Sequence, residues 1–232
     1  MSTRNRFERR HIAIDGGESV SAVVAWPQTP VSDDAPAVIL AHGAGNGMQS
    51  PFLSAVHEGL ARRGYVAVKF NFPYMERARR APDRPAVLEA CYRHVLRAVR
   101  NDAGIGARRI VIGGKSLGGR MASHLAAAGE AIAGLILLGY PLHAPHKTDQ
   151  LRIAHLGSIR APMLFFCGTR DALCDLQLLR EVLGSLSAPV ALHVIEGGDH
   201  SFNLPKSMRR RPAEVWTEIV DVGARWLEQL PR

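Results

Sequence analysis

A chain of 232 residues, 47% hydrophobic and 22% charged, has the material for one domain with a sizeable core and lacks the composition of a disordered or fibrous protein. A formal charge of +8 admits an anionic partner, but only four of the 29 basic residues are lysines, and the arginines are scattered without interleaved aromatics, so no nucleic-acid partner is expected. The basic stretch at residues 1–10 leads into no apolar h-region and no run of about 18 apolar residues follows, which argues against a secretory signal and a membrane span and leaves the cytoplasm as the expected setting.

The first two strand-like stretches, His11 to Asp15 and Val20 to Trp26, flank Gly16-Gly17 and predict an antiparallel hairpin. After a turn-rich connector, Ala37 to Ala41 is uniformly apolar, as suits a strand covered on both faces, and it runs into His42-Gly-Ala-Gly45. A helical segment carrying Phe52, Leu53, Val56 and Leu60 closes at Gly64, and Tyr65 to Phe70 predicts the next strand. Pro85 to Val99 predicts an amphipathic helix. Ile110 to Ile112 is followed at once by Gly114-Lys-Ser-Leu-Gly118 and an Ala-rich helix. Gly134 to Leu138, Pro162 to Gly168 and Val190 to Ile195 complete about eight strands, with helices predicted at 176–186 and 212–230. Strand and helix alternate from residue 37 onward, so the expectation is α/β, a mainly parallel sheet with an N-terminal antiparallel hairpin and helices on both faces, as one domain over 1–232.

The Gly-x-Ser-x-Gly pattern is weak alone: 22 glycines and 13 serines in this chain give roughly 0.1 chance matches. Its setting is stronger, because strand, sharp turn and helix in that order lift a serine hydroxyl clear of a sheet. The carboxyl ends of the later strands supply partners, Thr169-Arg-Asp171 and Gly197-Gly-Asp-His200. Serine is too weakly acidic to attack unaided, so His200 is expected to take the Ser116 proton and Asp171 to orient and stabilise the imidazole. Oxyanion donors are expected from the backbone amides of Leu117 and Ala44. Asp175 is the rival acid but is better placed to cap a helix. Lys115, His143 and His146 are candidate substrate contacts, and Lys115 with Arg120 could favour anionic substrates. A P-loop reading fails because Arg109 stands where its first glycine belongs, and a dinucleotide loop fails at Met48. Cys91, Cys167 and Cys174 are odd in number and lack zinc spacing, so no disulfide framework, metal or cofactor is expected.

Residues 37–205 resemble the α/β-hydrolase superfamily, and more narrowly its small dienelactone-hydrolase-like members, including the group related to testis-expressed hydrolase-like proteins and the NSL-complex hydrolase-like subunit. The matching stretches are His42-Gly-Ala-Gly45, Phe72-Pro-Tyr74, Gly113-Gly-Lys-Ser-Leu-Gly-Gly-Arg120, Gly139-Tyr-Pro-Leu142, Gly168-Thr-Arg-Asp171 and Gly198-Asp-His-Ser-Phe202. The resemblance implies the α/β-hydrolase fold and the triad Ser116, Asp171, His200. Serine stands where dienelactone hydrolases use cysteine, which speaks against dienelactone as substrate. Only about 20 residues join the strands ending at Leu138 and beginning at Pro162, too few for a cap domain, so little or no lid is expected. The expected activity is hydrolysis of a small carboxylic ester, thioester or lactone through an acyl-serine; the alternative is a non-catalytic interaction module on the same fold. A homo-oligomer is compatible with the sequence.

Overall fold

The computed structural model describes residues 6–231, so part of the basic N-terminal stretch and the last residue of the predicted domain lie outside it. Eight strands form one sheet in the order β1-β2-β4-β3-β5-β6-β7-β8. These are β1 (Arg6–Ala13), β2 (Ser19–Trp26), β3 (Ala37–Ala41), β4 (Ala67–Phe70), β5 (Ile110–Lys115), β6 (Gly134–Leu138), β7 (Met163–Gly168) and β8 (Val190–Ile195). β1 pairs with β2, and β2 with β4, antiparallel, while every other neighbouring pair is parallel. The helices are α1 (Pro51–Arg62), α2 (Pro73–Glu76), α3 (Pro85–Arg100), α4 (Leu117–Ala127), α5 (Leu176–Gly184) and α6 (Pro212–Glu228). This is the mainly parallel α/β sheet with an N-terminal antiparallel hairpin that the alternating sequence pattern predicts.

The apolar strands are apolar for a physical reason. Side chains of β3 alternate between two cores: Ala37, Ile39 and Ala41 face the one built with α3, α4 and α5, while Val38 and Leu40 face the one built with α1 and α6. A strand covered on both faces has no position at which a polar side chain meets water.

Several element limits differ from expectation, and two of them, with one further helix, have a plain physical cause. β1 begins at Arg6 rather than His11: one face of this edge strand, Phe7, Arg9 and His11, is exposed, and on the other the guanidiniums of Arg6 and Arg10 lie over Trp26 across the hairpin, at 4.8 and 5.9 Å. β4 begins at Ala67 rather than Tyr65, whose amide is taken by Leu60 O at the end of α1. The short helix α2 is not apparent from periodicity, and Pro73 at its first position starts it. Between β6 and β7 the only helical structure among the described residues is a single 3-10 turn at Leu156–Ser158, so the sheet's carboxyl edge carries no cap domain.

Candidate active site

The sheet's carboxyl edge gathers four loops. After β5 the chain turns through Ser116 at φ 50°, ψ −111° and enters α4 directly. A side chain held at positive φ is strained, and that strain persists only where the surroundings over-determine it. Here they do: Ser116 N–H donates to Leu138 O at 3.0 Å, and Gly114 and Gly118 press so closely on Ala41 O that a Cβ at either would collide with it. The glycines of the motif therefore let the elbow sit against the end of β3.

The acid and base loops are interlocked in the same manner. A Cβ on Gly168 would strike Gly198 O, Arg170 N–H donates to Gly198 O at 2.8 Å, and Gly197 N–H donates to Thr169 Oγ1 at 2.8 Å. Asp199 braces the base loop from within, accepting from the amides of Ser201 and Asn203 at 2.8 Å each. The outcome is one continuous relay. His200 Nε2 lies 2.9 Å from Ser116 Oγ, and His200 Nδ1 lies 2.9 and 2.8 Å from the two Asp171 carboxylate oxygens. A carboxylate can only accept, so Nδ1 carries the proton and Nε2 is free to accept from the serine hydroxyl. The Asp171 side chain is fully shielded from water, and Leu173 N–H donates to its Oδ1 at 2.8 Å. Asp175 points elsewhere and caps α5, accepting from Leu178 N–H at 2.9 Å.

Beside the serine lies a set of unspent donors. The first helical bond of α4 runs from Arg120 N–H to Ser116 O, which leaves the Leu117 amide outside the helix ladder. The loop after β3 passes close by, with a Cβ built on Gly43 lying 3.6 Å from Ser116 Cβ, and the next residue, Ala44, is exposed at the mouth of the site. His42 holds this loop from beneath. Its Nε2 accepts from Phe72 N–H at 3.0 Å, so Nδ1–H donates to Gly43 O at 2.9 Å. Tyr74 hydroxyl donates to the same carbonyl at 3.4 Å. Burial keeps this imidazole neutral, with its pKa pushed down to about 4.

The remaining candidates are not gathered at the serine. Lys115 is not an exposed cation at the rim. Its Nζ is buried without a hydrogen-bond partner, 5.5 Å from the centre of the Phe202 ring. Burial lowers its pKa to about 8, partly offset by the charges of Asp171 and Asp199. His143 is 3% exposed with both ring nitrogens engaged: Nε2 accepts from Asp175 N–H at 3.0 Å and Nδ1 donates to Ala144 O at 2.9 Å. It props the segment beside Asp171, with both nitrogens taken up by its neighbours. His146 stands on an exposed turn at φ 58°.

Two supporting residues had no legible signal in the sequence. Tyr92 on α3 puts its hydroxyl 3.0 Å from Ile39 O and 2.7 Å from Gly113 O, and it accepts from Gly113 N–H at 2.9 Å. It thereby stitches β3 to β5 just below the elbow. Arg152 is the other: its backbone ties the connector after β6 to Leu142 O at 2.8 Å and to the Tyr140 hydroxyl at 2.7 Å. Cys91, Cys167 and Cys174 are free and buried, and burial pushes the Cys91 thiol up to about 12. Among the described residues no helix is long and apolar enough to cross a membrane, and no three His, Cys, Asp or Glu side chains converge to hold a metal.

Residues 34–228 match the family described as alpha/beta hydrolase domain. The fold is shared with solved structures of low sequence identity. An alpha-beta serine hydrolase homologue from Coxiella burnetii is 18% identical with a TM-score of 0.73, over 96% of this chain and 99% of that one. A dienelactone hydrolase from Anabaena variabilis is 17% identical with a TM-score of 0.75, over 99% and 100%. A serine hydrolase without a lid from Xanthomonas campestris is 20% identical with a TM-score of 0.72, over 100% and 98%.

Proposed function

The chain belongs to the alpha/beta hydrolase domain family, and from that premise we propose that it is a serine hydrolase cleaving a small carboxylic ester, thioester or lactone through an acyl-Ser116 intermediate. One observation carries the reading, the unbroken relay from Ser116 Oγ to His200 Nε2 at 2.9 Å and on to the shielded Asp171. In the proposed reaction Ser116 Oγ attacks the ester carbonyl as its proton passes to His200. The cation so formed is stabilised by Asp171. The carbonyl oxygen becomes an oxyanion, and the amides of Leu117 and Ala44 receive it. His200 then protonates the departing alcohol, breaking the C–O bond and leaving the acyl group on Ser116. Water, deprotonated by the same imidazole, attacks that acyl group and restores the serine.

Elements of the reading beyond the chemistry are a single domain over residues 1–232, a small-molecule partner, and a cytoplasmic setting suited to three free buried cysteines. Among the structural neighbours, one named as an esterase and one named as a serine hydrolase without lid support this reading. The test is labelling of the folded chain with a fluorophosphonate, followed by peptide mapping, alongside hydrolysis of p-nitrophenyl acetate. The expected adduct is on Ser116, with release of p-nitrophenol abolished by Ser116→Ala. An unlabelled Ser116 in folded protein would overturn the proposal and favour a non-catalytic interaction module.

A further inference from the structure

Lys115 closes β5 and stands immediately before Ser116, paired across the sheet with Leu138. Its stem runs past the loop after β3, where a Cβ built on Gly43 would lie 3.5 Å from Lys115 Cγ. Its head reaches the turn after β6, where a Cβ on Gly139 would lie 3.0 Å from Lys115 Nζ, 3.3 Å from His200 O and 3.6 Å from Phe202 Cζ. Gly139 has no side chain to fill that space, so the ammonium and the base loop share it. One residue thus links the nucleophile elbow to the strand ends on either side of it and to the loop that carries His200.

Phe202 meets the ammonium two residues beyond the base. Its ring centre is 5.5 Å from Lys115 Nζ, a cation–π distance, and the ring packs on Phe52 at 5.4 Å. Its backbone is held at φ 62°, a left-handed conformation that is strained for a bulky residue and persists only under outside constraint. Phe202 N–H to Asp199 O at 2.9 Å supplies part of that constraint, and the ring seated over the ammonium supplies more. Filling space does not require the charge. A methionine of similar length would pack there without the penalty of burying an ammonium that has no hydrogen-bond acceptor. What the ammonium adds is attraction: to the Phe202 ring, and over longer range to Asp171 from the loop after β7 and Asp199 from the loop after β8. Those two carboxylates are the partner of His200 Nδ1 and the brace of the base loop. With His200 they are the titratable groups at this point; Gly43, Gly139 and Phe202 form the other walls and carry no charge.

We propose that Lys115 is the positioning residue of the base loop: its ammonium, seated against Phe202 and drawn to Asp171 and Asp199, keeps His200 within hydrogen-bond distance of Ser116. The proposal rests on Ser116 being the nucleophile. It gives Lys115 no contact with substrate, since the head group lies beneath the loops and not at the mouth of the site.

The test is Lys115→Met, which keeps the length and removes the charge. With p-nitrophenyl acetate at about pH 7, kcat is expected to fall about tenfold or more while KM changes less than about twofold. In wild type, kcat is expected to fall above about pH 8 as the ammonium loses its proton, although the folded chain gains stability over that same range. Lys115→Met should lack that fall. An unchanged kcat, or the same alkaline fall in both proteins, overturns the proposal. Phe202→Leu should reproduce part of the loss, and the double variant should be no slower than Lys115→Met alone; losses that add overturn the proposal.

A second measurement needs no turnover. In Ser116→Ala, the amides of Ser201, Phe202 and Asn203 are expected to exchange with solvent about tenfold faster once Lys115→Met is added, while those of β8 do not. Equal exchange overturns the proposal even if esters are cleaved. Faster exchange in a chain whose wild-type form takes no fluorophosphonate upholds Lys115 as the anchor of the base loop and removes the hydrolase reading instead.

Discussion

His42 Nε2 accepts the Phe72 amide at 3.0 Å, and this one bond decides which way the loop beside Ser116 faces. With Nε2 committed as acceptor, Nδ1–H must donate to Gly43 O, turning that carbonyl inward. His42→Ala would orphan the buried Phe72 amide and leave Gly43 O with only its longer bonds from Tyr74 and Asn46, at 3.4 Å each, at a cost of about 1–3 kcal/mol in stability. It would also free the loop carrying Ala44, so kcat is expected to fall more than KM rises. Steady-state kinetics with urea denaturation of the same variant checks both parts; a normal kcat would show that the loop holds its shape without the imidazole.

Asp171 and Asp175 stand four residues apart and should behave as different kinds of residue. Asp171→Asn would present an amide to His200 Nδ1 and favour the wrong tautomer, lowering kcat by about 10⁴-fold while leaving the fold intact. Asp175→Ala removes only the cap on α5, costing about 1 kcal/mol with activity largely retained. Measuring kcat and thermal midpoint for the two variants should give opposite rankings, and equal loss of activity would contradict the assignment of the acid.

Ser116 itself is held at φ 50°, ψ −111°, a conformation that strains any residue with a side chain. Ser116→Gly is expected to be inactive yet more stable than wild type, by about 1–3 kcal/mol, since glycine adopts this backbone without penalty. Ser116→Ala should be equally inactive but should keep the strain. A calorimetric comparison of the two separates relief of strain from loss of the hydroxyl.

Lys115 predicts a dependence in the alkaline range. Burial brings its pKa in the folded chain down from the ordinary 10.5 to about 8. Between those values the unfolded chain keeps a proton the native chain has released, so stability rises with pH across that window. Below pH 8 the buried ammonium costs roughly 3 kcal/mol. Lys115→Met should therefore be more stable than wild type at pH 7, the advantage shrinking toward pH 10.5. Urea midpoints at several pH values would show this, and parallel curves would refute it.

The acid side is governed by buried histidines. His42 and His57 are both held near pKa 4, from 6.5, chiefly by burial. From pH 6.5 down to 4 the unfolded chain binds protons that the native chain refuses, so stability falls as pH falls, by roughly 1.4 kcal/mol per unit for each ring. His57→Leu, which gives up the bonds from Nε2 to Val23 O and Ala67 O, should be less stable at pH 7 but less acid-sensitive. Denaturation midpoints between pH 4 and 7 test the slope.

The central strands were legible because β3, β6 and β7 are buried on both faces and so read as unbroken apolar runs. The first half of β1 was not, since its exposed edge lets Arg6, Glu8 and Arg10 stand where periodicity expects apolar residues. In the same way the meeting of Ser116, Asp171 and His200 was legible because strand ends and chain order locate them. Lys115, His143 and Arg152 could not, because what matters for them is which way a side chain points. Lys115 follows the strand pleat inward to Phe202 rather than out to solvent, and His143 is claimed by the Asp175 amide. Arg152 gains its meaning only when the connector folds back on Leu142 and Tyr140. Such encounters arise from tertiary packing and leave no local mark.

The connector between β6 and β7 carries one 3-10 turn and no cap, and this has a kinetic consequence. With no flap to swing aside, neither the arrival of an ester nor the departure of its alcohol has to wait for a microsecond-to-millisecond motion. Turnover should then be timed by the making and breaking of the acyl bond, so kcat should be insensitive to added viscogen.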